Sequence, residues 1–143
     1  MEFALNRPLS GLMTPTETIH GRSFSLTILY IALAGAAGTL ARFGAERVVQ
    51  GRSATLVVNL VGSLILGFVV HYATRTSAVA PELRSALTIG FCGAFTTMST
   101  FSYESLALIV QGAYGRAALY MSATIIGCLV AVLGGMALAE RLV

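Results

Sequence analysis

Five of the seven residues from 96 to 102 carry hydroxyls: Thr96, Thr97, Ser99, Thr100 and Ser102. They sit inside an otherwise apolar segment, just downstream of Gly90 and Gly93. Hydroxyls donate hydrogen bonds to an anion or offer oxygens to a cation. A helix that unwinds beside them also frees backbone carbonyls, which coordinate cations. Met98 and Phe101, three residues apart, project from one helical face, and an aromatic ring presents a weakly positive edge. The stretch predicts a polar small-ion site and leaves the sign of the ion open. The competing reading is that the hydroxyls bond back to carbonyls of their own helix. So dense a cluster after two glycines favours the site.

The charges around the cluster limit its chemistry. Glu104, four residues beyond Thr100, is the only charge between Arg84 and Arg116. Without a central acid, proton-coupled cation export is disfavoured. No histidine lies near the serines at the centre of a span, so a nucleophile–base pair is absent and no enzyme is expected.

The elements that must hold the cluster are membrane helices. The chain of 143 residues is 56% hydrophobic and only 10% charged, whereas an average soluble domain is about 25% charged. Its net charge of +3 comes from scattered arginines rather than a basic stripe, so nucleic acid is not an expected partner. The 31 residues between Arg84 and Arg116 would make a straight helix of about 46 Å, longer than a hydrocarbon core of about 30 Å. Thr100 is their midpoint, so the third span is expected to break near the bilayer midplane. Such a break survives only inside protein or beside a water-filled path. The other spans are residues 23–41, ending near Arg42, then Ala54 to Ala73, then Ala117 to Ala139.

Residues 1–22 have no sustained apolar run and read as a flexible tail before a channel domain over 23–143. Arg42 is expected to snorkel, to pair with Glu46 at i, i+4, or to take a more specific structural role. Asn59 lies at membrane depth, where its amide either glues helices together or lines a polar path. His71, near the end of the second span, reads as interfacial. Small residues recur four apart at Ala34 and Gly38, and again at Gly127, Ala131 and Gly135, which suits close helix packing within or between subunits. Cys92 and Cys128 fall in apolar spans and read as small buried hydrophobes.

Four spans put both termini on one side. Arg7, Arg22, Arg75, Arg84 and Arg141 then face Arg47, Arg52 and Arg116, with Arg42 joining the latter if it snorkels. That is a weak orientation signal, compatible with insertion both ways. Four helices are also few to enclose a pore, which an antiparallel homodimer would remedy.

The run Gly90-Phe-Cys-Gly-Ala-Phe-Thr-Thr-Met-Ser-Thr-Phe-Ser102, followed by Glu104, resembles the signature of the Fluc (CrcB) fluoride channels. The resemblance extends to residues 35–42 and 55–63 and covers roughly residues 28 to 140. It implies an all-α integral membrane protein of four transmembrane helices, assembled as an antiparallel dual-topology homodimer in the inner (plasma) membrane. Its two pores would passively export fluoride and lower the cytoplasmic concentration. It further implies pore positions at Asn59, Met98, Ser99, Thr100 and Phe101, and a structural sodium ion held by the carbonyls of Gly93 and Thr96 from both subunits. Arg42 matches the arginine of the family's first-span motif, and Glu104 is a structural candidate.

Three departures from the pattern involve four positions. Met98 stands where the family usually has a phenylalanine, Ala94 replaces a frequent glycine, and Cys128 and Val132 fall where a serine and a threonine often line a polar track. The alternatives are a small four-helix dual-topology exporter, whose first-span acid is missing here, and a divergent non-conducting subunit of a heteromeric channel.

Overall fold

A computed structural model describes residues 21–143, with side chains from residue 24 onward. Most of the expected tail therefore lies outside the described residues, although Gly21 and Arg22 already belong to the first helix. The regular secondary structure of the described residues is all helical. In order it forms α1 (Gly21–Val48), α2 (Arg52–Arg75), α3 (Pro81–Ser85), a π-helical segment (Ala86–Cys92), α4 (Gly93–Phe95), α5 (Met98–Val110) and α6 (Tyr114–Glu140).

Among the described residues, three helices are long and apolar enough to cross a membrane: α1 from Phe24, α2 and α6. Leu33, Leu40, Leu119 and Leu129 are each more than half exposed on α1 and α6, a surface suited to hydrocarbon rather than water. The chain is an integral membrane protein. Contrary to expectation, the first helix does not stop at Arg42 but continues to Val48, so Arg42 is an interior helical residue. Its side chain turns inward instead of snorkelling, and the spacing-allowed pair with Glu46 is not formed.

Residues 81–110 form a broken helix. Pro81 occupies the first turn of α3, where its missing N–H costs nothing. The π segment inserts one extra residue per turn and carries the chain past α1, and α4 then ends at Phe95. Thr96 (φ −80°, ψ 159°) and Thr97 (φ −146°, ψ 108°) are extended, and helix resumes at Met98. The third span is therefore broken as expected, and the break falls at these two threonines. At the other end of α5, Gly112 takes φ +71° in the turn before α6.

Glycines set the helix contacts. The open flank of Gly38 lies against the backbone of Phe91, while that of Gly90 faces Ile31 and Ala34. This brings α1 alongside the first half of the broken helix, in parallel. Gly67 faces the Val132 backbone, and Gly135 faces the Leu64 carbonyl and the Phe68 amide, so α2 and α6 also run parallel. Gly127 meets the Leu60 side chain. Both small-residue faces thus serve packing within the chain. At the C-terminal ends of α2 and α6, Glu140 accepts from His71 and, at 3.3 Å, from Arg75.

Gly134 and Gly135 make a direct test of this packing. A Cβ on Gly134 meets nothing, whereas one on Gly135 lands on the Leu64 carbonyl oxygen. Gly135→Ala is expected to destabilise by about 1–3 kcal/mol through overpacking. Gly134→Ala should stabilise by about 0.5–1 kcal/mol through helix propensity. Thermal unfolding of the two detergent-purified variants checks the opposite signs.

Candidate functional site

Two residues of extended backbone inside a helical bundle need partners for their N–H and C=O groups. Asn59, from α2, meets this need at Thr97. Its Oδ1 accepts from the Thr97 N–H at 2.7 Å and its Nδ2 donates to the Thr97 carbonyl at 3.2 Å. The amide thus pairs with Thr97 as a neighbouring strand would, and both residues are more than nine-tenths buried. From α1, Arg42 Nη1 donates to the carbonyl of Thr96 at 3.2 Å. The break is held by one side chain from each of the first two helices.

The same contacts redirect the helix's own hydrogen bonds. In an unbroken helix the Gly93 carbonyl would accept from the Thr97 N–H, which goes to Asn59 instead. The Thr96 carbonyl would accept from the Thr100 N–H, which goes to Thr97 Oγ1 at 3.2 Å and caps α5. Gly93 and Thr96, the two carbonyls expected to face a cation, are therefore among those that the break releases from their helical partners. The Thr96 carbonyl keeps one lone pair beyond its bond to Arg42.

The hydroxyls divide into two groups. Thr96 bonds back to the Cys92 carbonyl at 2.9 Å and Ser102 to the Met98 carbonyl at 2.9 Å. The back-bonding reading, disfavoured from the cluster's density, holds for these two. Thr97 donates to Thr100 Oγ1 at 3.0 Å and lies 3.3 Å from Ser99 Oγ. With its single hydrogen committed to Thr100, Thr97 accepts from Ser99. Thr100 is left with a hydroxyl hydrogen directed to none of these partners.

A cleft of about 450 Å³ opens beside the break. Its walls bring together Asn59, Gly93, Thr96, Met98 and Phe101, along with Thr124, Cys128 and Val132 of α6. Met98 is 70% exposed, whereas Phe101 is buried. Ser99 and Thr100 are not among the lining residues, and neither are Arg42 and Glu104. Glu104 instead accepts from the Tyr120 hydroxyl at 2.6 Å, and the Tyr120 ring lies 5.4 Å from that of Phe101.

Tyr120 and Thr124 were not singled out in the sequence. Their signal is positional: with Cys128 and Val132 they recur every four residues along one face of α6. The Thr124 hydroxyl is spent on the Tyr120 carbonyl at 2.8 Å.

Asn59→Ala would leave the Thr97 N–H and C=O without their partner. It is expected to destabilise by about 2–4 kcal/mol, since each unsatisfied buried group costs about 1–3 kcal/mol. Asn59→Asp keeps an acceptor for the N–H but sets a carboxylate oxygen against the Thr97 carbonyl. Thermal unfolding of both variants measures the clasp, and an unchanged midpoint for Asn59→Ala would remove its structural role.

Sequence comparison places the chain among known proteins. Residues 29–136 match the family described as CrcB-like protein, Camphor Resistance (CrcB). A fluoride-specific ion channel FluC of Geobacter sulfurreducens is 42% identical over 122 residues, covering 81% of this chain and 98% of the relative. A protein of the same name from Geobacter metallireducens is 42% identical over 123 residues, covering 82% of this chain and 99% of the relative. Another, from Koribacter versatilis, is 39% identical over 120 residues, covering 80% and 95%.

Proposed function

The chain belongs to the CrcB-like family, and from that premise we propose that it is a fluoride-specific ion channel. The observation that carries this reading is the extent of the match. It runs through the broken helix and through both side chains that hold the break, Arg42 and Asn59, instead of covering only generic apolar spans. The broken helix serves as the fourth membrane crossing, with its break near the midplane. Passive flow through the channel lowers cytoplasmic fluoride, and the protein resides in the inner (plasma) membrane.

Fluoride is small and strongly hydrated, so a path must replace its water contacts with donors. The uncommitted Thr100 hydroxyl hydrogen and the positive N-terminal end of α5 supply donors at the break. Phe101 contributes a ring edge. Asn59 and Met98 form the cleft wall on the approach, and Ser99 supports the Thr97–Thr100 pair. Methionine at 98 removes one ring edge but keeps a flexible, polarizable wall.

The path is completed by a second, antiparallel copy, giving a homodimer with two pores. The open cleft wall, with Met98 70% exposed, supports this reading, because a single copy leaves it uncovered. The released carbonyls of Gly93 and Thr96 fit a sodium ion. They are hard oxygen donors at the negative C-terminal end of α4, and two copies would supply four. When bound, the ion would supply charge to hold the two breaks together.

Fluoride efflux from liposomes, followed with a fluoride electrode beside a chloride control, tests the channel. Fluoride release without chloride release is expected, and its absence from well-folded protein would overturn the reading. Asn59→Asp places a negative charge beside the path and should cut flux by at least about tenfold. Undiminished flux in folded protein would remove Asn59 from the path.

Replacing sodium by a larger organic cation should weaken dimer or flux. Indifference of both would remove the ion.

A further inference from the structure

Four hydroxyl side chains of the described residues line the cleft: Ser63, Thr88, Thr96 and Thr124. Three of them are spent on the carbonyl four residues back. Thr88 donates to Arg84 at 2.8 Å, Thr96 to Cys92 at 2.9 Å and Thr124 to Tyr120 at 2.8 Å. Ser63, half-buried at the middle of α2, has no hydrogen-bond partner among the described residues. We propose that Ser63 is a further residue of the fluoride path, donating its hydroxyl hydrogen to the ion one helical turn beyond Asn59. This role rests on the channel reading.

What Asn59 has left to offer is a hydrogen, not an oxygen. Its Oδ1 already accepts the Thr97 N–H, and its Nδ2 has given one of two hydrogens to the Thr97 carbonyl. The second amide hydrogen remains, and so does the hydrogen of Ser63. Residues four apart on a helix share a face, with Cβ atoms about 5–6 Å from each other. An anion released by one donor is thus within reach of the next.

The α6 side of the cleft offers little in their place. The Thr124 hydrogen is committed, Cys128 has only a weakly donating thiol and Val132 has no donor. No charged side chain of the described residues lines the cleft to hold the ion instead. An unpaired hydroxyl at membrane depth costs free energy, and that cost is recovered when an ion or water reaches it through the cleft.

Ser63→Ala and Ser63→Thr, reconstituted in liposomes beside the unaltered chain, test the role. Losing one hydrogen bond to a charged group should cut fluoride flux about tenfold or more in Ser63→Ala. Ser63→Thr keeps the hydroxyl and should retain most of the flux. The thermal midpoint of Ser63→Ala should not fall, because its hydroxyl has no partner in the described chain to lose. Unchanged flux in Ser63→Ala would overturn the role. Equal loss in both variants would also overturn it, by making shape rather than the hydroxyl decisive. So would a lowered midpoint, which marks a structural hydroxyl. An unaltered chain that folds without conducting refutes the channel reading and Ser63 with it, whereas a conducting chain indifferent to Ser63→Ala refutes Ser63 alone.

Discussion

Two residues of extended backbone in the interior of a membrane bundle impose the demand around which this structure is arranged. Thr97 is buried out of reach of water, so the protein must satisfy its peptide groups from neighbouring helices. Asn59 supplies a donor and an acceptor to Thr97, and Arg42 supplies a donor to Thr96. Gly62 belongs to the same solution, because its bare flank accepts the Thr96 methyl group. The site follows from this arrangement. Once the Thr97 and Thr100 N–H groups are drawn to side chains, the carbonyls behind them are free to face a ligand.

Opposite helix ends meet at the same point. The C-terminal end of α4 presents carbonyls and the N-terminal end of α5 presents N–H groups and the Thr97–Thr100 hydroxyl pair. Their macrodipoles place partial negative and partial positive charge on either side of two residues. One backbone feature thus offers hard oxygen donors to a cation and hydrogen-bond donors to an anion, without an ionised side chain in the cleft wall. The charged groups stand farther back: Arg42 on the Thr96 carbonyl, Glu104 under the Tyr120 hydroxyl.

Much of this was legible in particular residues. The break could be read because glycine and hydroxyl residues interrupt an apolar segment too long to cross straight. Asn59 could be flagged because a lone amide at membrane depth has to bond to something, but its partner, a backbone 38 residues away, has no local signature. Arg42 was obscured by its position: a span ending in arginine reads as a helix terminus, yet α1 continues to Val48. The π segment leaves no trace in side-chain type. Thr96 and Ser102 were misread because hydroxyl density does not reveal which oxygens already have a carbonyl one turn back. The four-residue face of Tyr120, Thr124, Cys128 and Val132 was present in the spacing, but only the cleft distinguishes it from the other faces of an apolar helix.

The pairing of the helices has a consequence for biogenesis. α1 packs chiefly on residues 81–95, and α2 packs chiefly on α6, so neighbours in sequence are not the main neighbours in space. As the chain emerges, α1 and α2 enter the lipid with little to hold them together. α1 gains its partner only once the π segment has been made, and α2 waits for Gly127 and Gly135 at the far end of the chain. The Asn59 amide meanwhile lies in hydrocarbon without Thr97. Membrane integration and tertiary assembly are thereby separated in time, and the α2–α6 contact forms only after the last helix has been synthesised.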